Sequence, residues 1–110
     1  MHEFSKAHKR RLKELSARLY EQEVKESLIR LAHNFDDWKA GKITSLQLSQ
    51  TLHEYDHGES RRIWSKYDTK RYDMIVACAF VEGTLTETEV GSDLVLELAN
   101  AIAFYRSQQE

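Results

Sequence analysis

The chain contains no proline, and its four glycines stand at Gly41, Gly58, Gly83 and Gly91. The two residues that most strongly interrupt a helix are confined to four places, and the segments between them are free to run as helices. Apolar residues in those segments recur at helical spacing. From Ser5 to Ala40 they fall at Leu12, Leu15, Leu19, Val24, Leu28, Leu31, Phe35 and Trp38, in steps of three or four with one step of five that Tyr20 bridges. This predicts one long N-terminal helix, or two with a slight bend near Tyr20 to Glu23, stopped at Gly41.

Beyond Gly41 the same signals repeat. Thr44 or Ser45 supplies an N-cap for a second helix carrying Leu48, Leu52 and Tyr55, which ends at Gly58. Ser60 caps a short third helix with Ile63, Trp64 and Tyr67 facing inward. The eight residues from Met74 to Val81 are apolar on every side, and no other segment reads as a strand able to satisfy their backbone groups. They are therefore expected to form a buried central helix near 72–82. Thr84-Leu85-Thr86-Glu87-Thr88-Glu89 offers a threonine three residues before a glutamate twice over, the pattern of a capping box. Ser92 then caps a last helix striped with Leu94, Val95, Leu98, Ala101, Ile102 and Tyr105. The expected architecture is all-α: a bundle of about five helices with a long N-terminal helix, in one domain spanning 1–110. A chain of 110 residues is long enough for one core and too short for two.

Composition excludes several classes. With 41% hydrophobic and 31% charged residues the chain is too apolar to remain disordered. Its longest apolar run falls far short of the roughly 20 residues that cross a bilayer. The opening Met1-His2-Glu3-Phe4 leads into charged sequence without the apolar stretch of an export signal, and Cys78 has no second cysteine to pair with. A cytoplasmic location is the expectation, with Cys78 a small buried hydrophobe. No glycine-rich phosphate loop, paired-cysteine metal site or serine nucleophile elbow occurs, so no cofactor is expected.

Charge is distributed unevenly. Between Met1 and Tyr20, Lys6, Lys9, Arg10, Arg11, Lys13 and Arg18 outnumber Glu3 and Glu14 by four. From Glu82 to Glu110 six acids face Arg106 alone, a surplus of five. Positive charge at a helix start opposes the macrodipole, so helix stability does not account for it. Three uses fit: nucleic-acid phosphate, an acidic protein surface, or the acidic C-terminal part of a second copy in an antiparallel dimer. No aromatic residues interleave the basic run, which disfavours a single-strand stacking platform. A second basic group comprises Arg61, Arg62, Lys66, Lys70 and Arg71. The stretch Leu48 to Trp64 fits a helix-turn-helix poorly, since its second helix would have only about two turns.

His53-Glu54-Tyr55-Asp56-His57 matches H-E-x-x-H. On a helix, His53 and His57 share a face and could grip zinc while Glu54 acts as general base on a metal-bound water. Against this, Gly58 places His57 on a fraying last turn, the extended ligand pattern is missing, and a third ligand such as Glu82, Glu87 or Glu89 enters only by assumption. His53, His57, Arg61 and Arg62 also read as an anion-binding or partner-binding patch around the glycine corner. Phe35, Trp38, Tyr55, Trp64, Tyr67 and Tyr72 are spaced to meet near that corner, as core or as an interface.

The leading expectation is a non-catalytic helical regulatory or adapter module that binds a macromolecule, foremost a protein, through Lys9, Arg10, Arg11, His57, Arg61 and Arg62. Self-association through the first helix accompanies it, with no membrane involvement. A zinc hydrolase built on His53, Glu54 and His57, and a nucleic-acid-binding regulator using the basic N-terminal helix, are the alternatives.

Overall fold

The structure is a computed structural model that describes residues 3–109. Met1, His2 and Glu110 lie outside the described residues, and with them the start of the export-signal reading and one acid of the C-terminal charge block. The described residues form seven helices and no strand: α1 (Lys6–Lys39), α2 (Ser45–His57), α3 (Glu59–Tyr67), α4 (Tyr72–Glu82), α5 (Glu87–Val90), α6 (Ser92–Glu97) and α7 (Ala99–Gln108). The long first helix and the helix at 72–82 stand where the apolar spacing places them. The last expected helix is instead broken in two at Leu98, whose amide is shared between the carbonyls of Leu94 and Val95. Such a shared bond tightens and ends a helical turn.

Several starts and stops follow from local chemistry. Thr44 caps α2 and Thr86 caps α5, each accepting a bond from the amide three residues on while Gln47 or Glu89 reaches back to the cap's own amide. Of the two threonine pairings in the sequence, Thr86 with Glu89 is the one that forms the box. Ser60 does not cap α3, which begins at Glu59 directly behind Gly58. A side chain at Gly58 would place its Cβ 2.9 Å from the carbonyl oxygen of Glu54, so only glycine lets α2 turn so abruptly into α3. Gly83 ends α4 at φ +84°, a left-handed conformation that residues with a Cβ rarely adopt.

Backbone proximity groups the chain into two units, one running through Arg18 and resuming at Thr69, the other spanning Leu19–Asp68. The first unit holds the start of α1 with α4, α5, α6 and α7. α4 packs on α7, and Ile75, Val76, Ala77 and Ala79 of α4 are buried. Leu12, Leu15, Leu85, Val90, Leu94, Leu98 and Ile102 are buried as well. Cys78 is half-buried rather than enclosed, its thiol donating to Glu82 Oε1 one turn further along at 3.1 Å. The second unit holds the remainder of α1 with α2 and α3, which pack on each other. Its buried apolar side chains are Leu19, Leu48 and Ile63.

Candidate partner-binding groove

Within the first unit the opening turns of α1, the corner at residues 70–73 and the junction of α6 with α7 enclose a groove of about 850 Å³. Its apolar surface comes from Phe4, Leu12, Tyr72, Leu98 and Ala101. Lys9, Arg10 and Lys13 stand along one side because residues three and four apart share a helix face. Lys70 and Arg71 are brought to it by the turn before α4. Five bases thus outnumber the lining acids Asp73 and Glu97 by three. A groove of this volume and mixed character falls in the range of ligand sites.

The acids are already engaged. Arg71 donates to both carboxylate oxygens of Asp73, at 3.2 and 3.3 Å, and that pairing raises the Arg71 pKa. Glu97 lies 2.7 Å from His8 Nδ1, and the other ring nitrogen lies 3.0 Å from Asp93. The hydrogen bonds to Asp93 and Glu97 raise the His8 pKa above its ordinary value, while the bond from His8 and the Leu94 amide lower that of Asp93. Lys9 reaches Glu3 at 3.3 Å, both well exposed. Among the described residues Arg10, Lys13 and Lys70 make no ion pair, so the groove keeps three cations with no acid assigned to them.

The opposed charge blocks of the sequence meet here. Arg11 donates to the carbonyl oxygen of Glu89, and Arg18 donates to its carboxylate at 3.2 Å. The Thr86 backbone and hydroxyl bonds, with Arg18 behind them, hold the Glu89 carboxyl below the usual range. Together with the His8 clasp, these bonds tie the basic start of α1 to α5 and α6. Part of the basic block is therefore explained by intramolecular pairing, and the acids that an antiparallel second copy would need are partly occupied.

The residues expected to bind a partner are distributed over both units. Lys9 and Arg10 line the groove, whereas Arg11 is turned to the Glu89 carbonyl. His57, Arg61 and Arg62 belong to the second unit: His57 ends α2, and the other two are exposed on α3. Lys13, Lys70, Arg71 and Tyr72 complete the groove. Lys13 is announced by its spacing from Lys9 and Arg10; the corner that delivers the other three has no comparable signal.

The H-E-x-x-H segment forms a helix, and the rings of His53 and His57 stand edge to face, 4.2 Å apart. No group of three or more His, Cys, Asp or Glu side chains suited to a metal occurs among the described residues. Glu82, Glu87 and Glu89 belong to the first unit. Of the aromatic set, Tyr55 and Trp64 line one depression of the second unit together with Tyr20. Tyr67 stacks on Tyr20 at 4.8 Å, Tyr55 accepts from Ser27, and Trp38 donates to Ser45. Trp64 is 56% exposed, and Tyr72 lines the groove of the first unit.

No helix among the described residues is long and apolar enough to cross a membrane. Comparison with family models, curated proteins and solved structures finds no match.

Proposed function

We propose that the chain is a non-catalytic helical binding module whose groove in the first unit receives an acidic, amphipathic segment of a partner protein. The observation behind this reading is the pairing of an apolar floor with a three-charge surplus of bases, three of which have no acidic partner among the described residues. An amphipathic segment laid in such a groove would bury leucine-like side chains against Phe4, Tyr72 and Ala101 and set its carboxylates over Arg10, Lys13 and Lys70. The apolar floor favours this over a nucleic-acid backbone, which offers phosphates without an apolar face.

The test uses the full chain and a labelled synthetic helix with glutamates on its polar face and leucines on the other, read by fluorescence anisotropy. Reversing Arg10, Lys13 and Lys70 to glutamate should weaken binding by at least about tenfold, in line with the loss of well-placed charge pairs. A helix with lysines in place of the glutamates should not bind. Equal affinity for both helices, or an unchanged affinity in the reversed variant, overturns the proposal. A steeply salt-dependent gel shift with duplex DNA and no peptide binding would replace it with nucleic-acid recognition.

A further inference from the structure

The second unit carries a surface of a different kind. Among the described residues, six of the eight large apolar side chains left exposed belong to it, and Leu28, Ile29 and Trp64 are each about half exposed or more, at 49, 51 and 56%. Leu28 and Ile29 line one depression and Trp64 another, and Val24 is common to both. Along α1, Glu21, Val24, Lys25, Leu28, Ile29 and Ala32 line a shallow groove at the spacing of a single helix face. Val24 also lines a second depression, together with Tyr20, Tyr55, Ile63, Trp64, Asp56 and Arg61. Tyr20 of this surface stacks on Tyr67, which fixes its ring.

Charge identifies what covers it. The polar residues around the apolar centre include two acids, Glu21 and Asp56, and two bases, Lys25 and Arg61. None of the four makes an ion pair among the described residues. A patch that pairs with its own copy about a two-fold axis must be its own complement, so it needs equal numbers of both signs. This rim has them. The groove of the first unit, with its surplus of bases, would repel a copy of itself. A half-exposed tryptophan beside a leucine–isoleucine ridge is the type of anchor that supplies most of an interface's binding energy.

We infer that the α1–α3 face of the second unit, centred on Val24, Leu28, Ile29 and Trp64, is the interface between two copies of this chain. Each copy supplies the apolar layer that the other lacks, and Glu21 and Asp56 of one copy find Lys25 and Arg61 of its mate. The groove of the first unit takes no part, so failure of either proposal leaves the other standing.

Equilibrium sedimentation of the full chain tests this with two variants of opposite rim. Glu21→Lys with Asp56→Lys makes the rim wholly basic, and Lys25→Glu with Arg61→Glu makes it wholly acidic. The unaltered chain should be a dimer. Each variant alone should dissociate at least about tenfold more readily, and an equimolar mixture should recover a heterodimer, which a merely misfolded variant could not do. A chain that stays monomeric at every concentration overturns the inference, whatever else that face then binds. So does a dimer that both variants leave intact, or a mixture that fails to reassociate.

Discussion

The two units spend similar material in opposite ways. Among the described residues, the first buries eleven of the fourteen enclosed apolar side chains and leaves Leu96 and Phe104 as its large exposed ones; the second buries three and exposes six. Polar groups follow a matching division. In the first unit His8, Arg11 and Arg18 of α1 are joined to α5 and α6. In the second, Glu23 gathers Lys66 and Tyr67; burial pushes its pKa up, and their hydrogen bonds outweigh that and lower it. The cations of Lys25 and Arg61 and the acids Glu21 and Asp56 make no ion pair among the described residues. A unit that closes its own core can devote its surface to an excess of one charge and so to a foreign ligand. One that leaves its apolar side chains open is suited to a partner with the same deficit.

The largest effect that could break this comparison lies in the first core. Leu94, 1% exposed on α6, should cost about 3 kcal/mol when shortened to alanine, since lost transfer energy and a residual cavity add. Leu46 on α2 is 83% exposed, and the same change there should stay within about 0.5 kcal/mol. Urea unfolding of both variants measures the difference. Similar costs for the two would show that the enclosed set in the first unit is not a working core.

A smaller effect concerns the polar interior of the second unit. Ser27 has no exposed surface, and its hydroxyl donates to the phenolic oxygen of Tyr55 at 3.1 Å. Removing that oxygen with Tyr55→Phe leaves a buried hydroxyl without its partner and should cost about 1 kcal/mol. Adding Ser27→Ala should return most of the loss, because the stranded group is then gone. Additive losses in the double variant would mean that the bond contributes nothing particular to this unit.

The helices were far more legible than the groove. Absent proline and regular apolar steps define α1 and α2, and an apolar run with no strand to pair with defines α4; these are local properties of the sequence. The break at Leu98 depends on how one amide divides itself between two carbonyls, and no residue type announces it. Lys9, Arg10 and Lys13 were readable as one helix stripe. Lys70, Arg71 and Tyr72 join them only because the turn before α4 folds back, a long-range event. The opposed charge blocks at the two ends of the sequence fit pairing within one chain as well as with a second copy: a surplus of bases matched by a distant surplus of acids is what paired segments leave behind. The H-E-x-x-H spacing placed both histidines on one helix face, but a third ligand depends on tertiary neighbours that a local pattern does not specify.

The smallest effect is one of pH, and its histidine limb sharpens the comparison because it belongs to the first unit alone. Since the bonds to Asp93 and Glu97 raise the His8 pKa in the folded chain, its contribution to stability is complete below the ordinary histidine value of about 6.5 and disappears as pH rises through the elevated one. Asp93 and Glu89 act in the other direction: their lowered values give a contribution that is present above the ordinary carboxylate range and is lost as pH falls through the depressed values. Melting temperature should therefore decline as pH rises above the ordinary histidine value, and His8→Asn should flatten that decline and weaken the Asp93 share of the acid limb while leaving the Glu89 share in place. An NMR titration of the His8 ring should give a midpoint above that of a free histidine. Glu97 also lines the groove, so loss of the His8 proton removes a positive charge from beside it. Affinity for an acidic helix should weaken over the same pH interval as the melting temperature, and an affinity that stays level through that interval would separate the clasp from the groove.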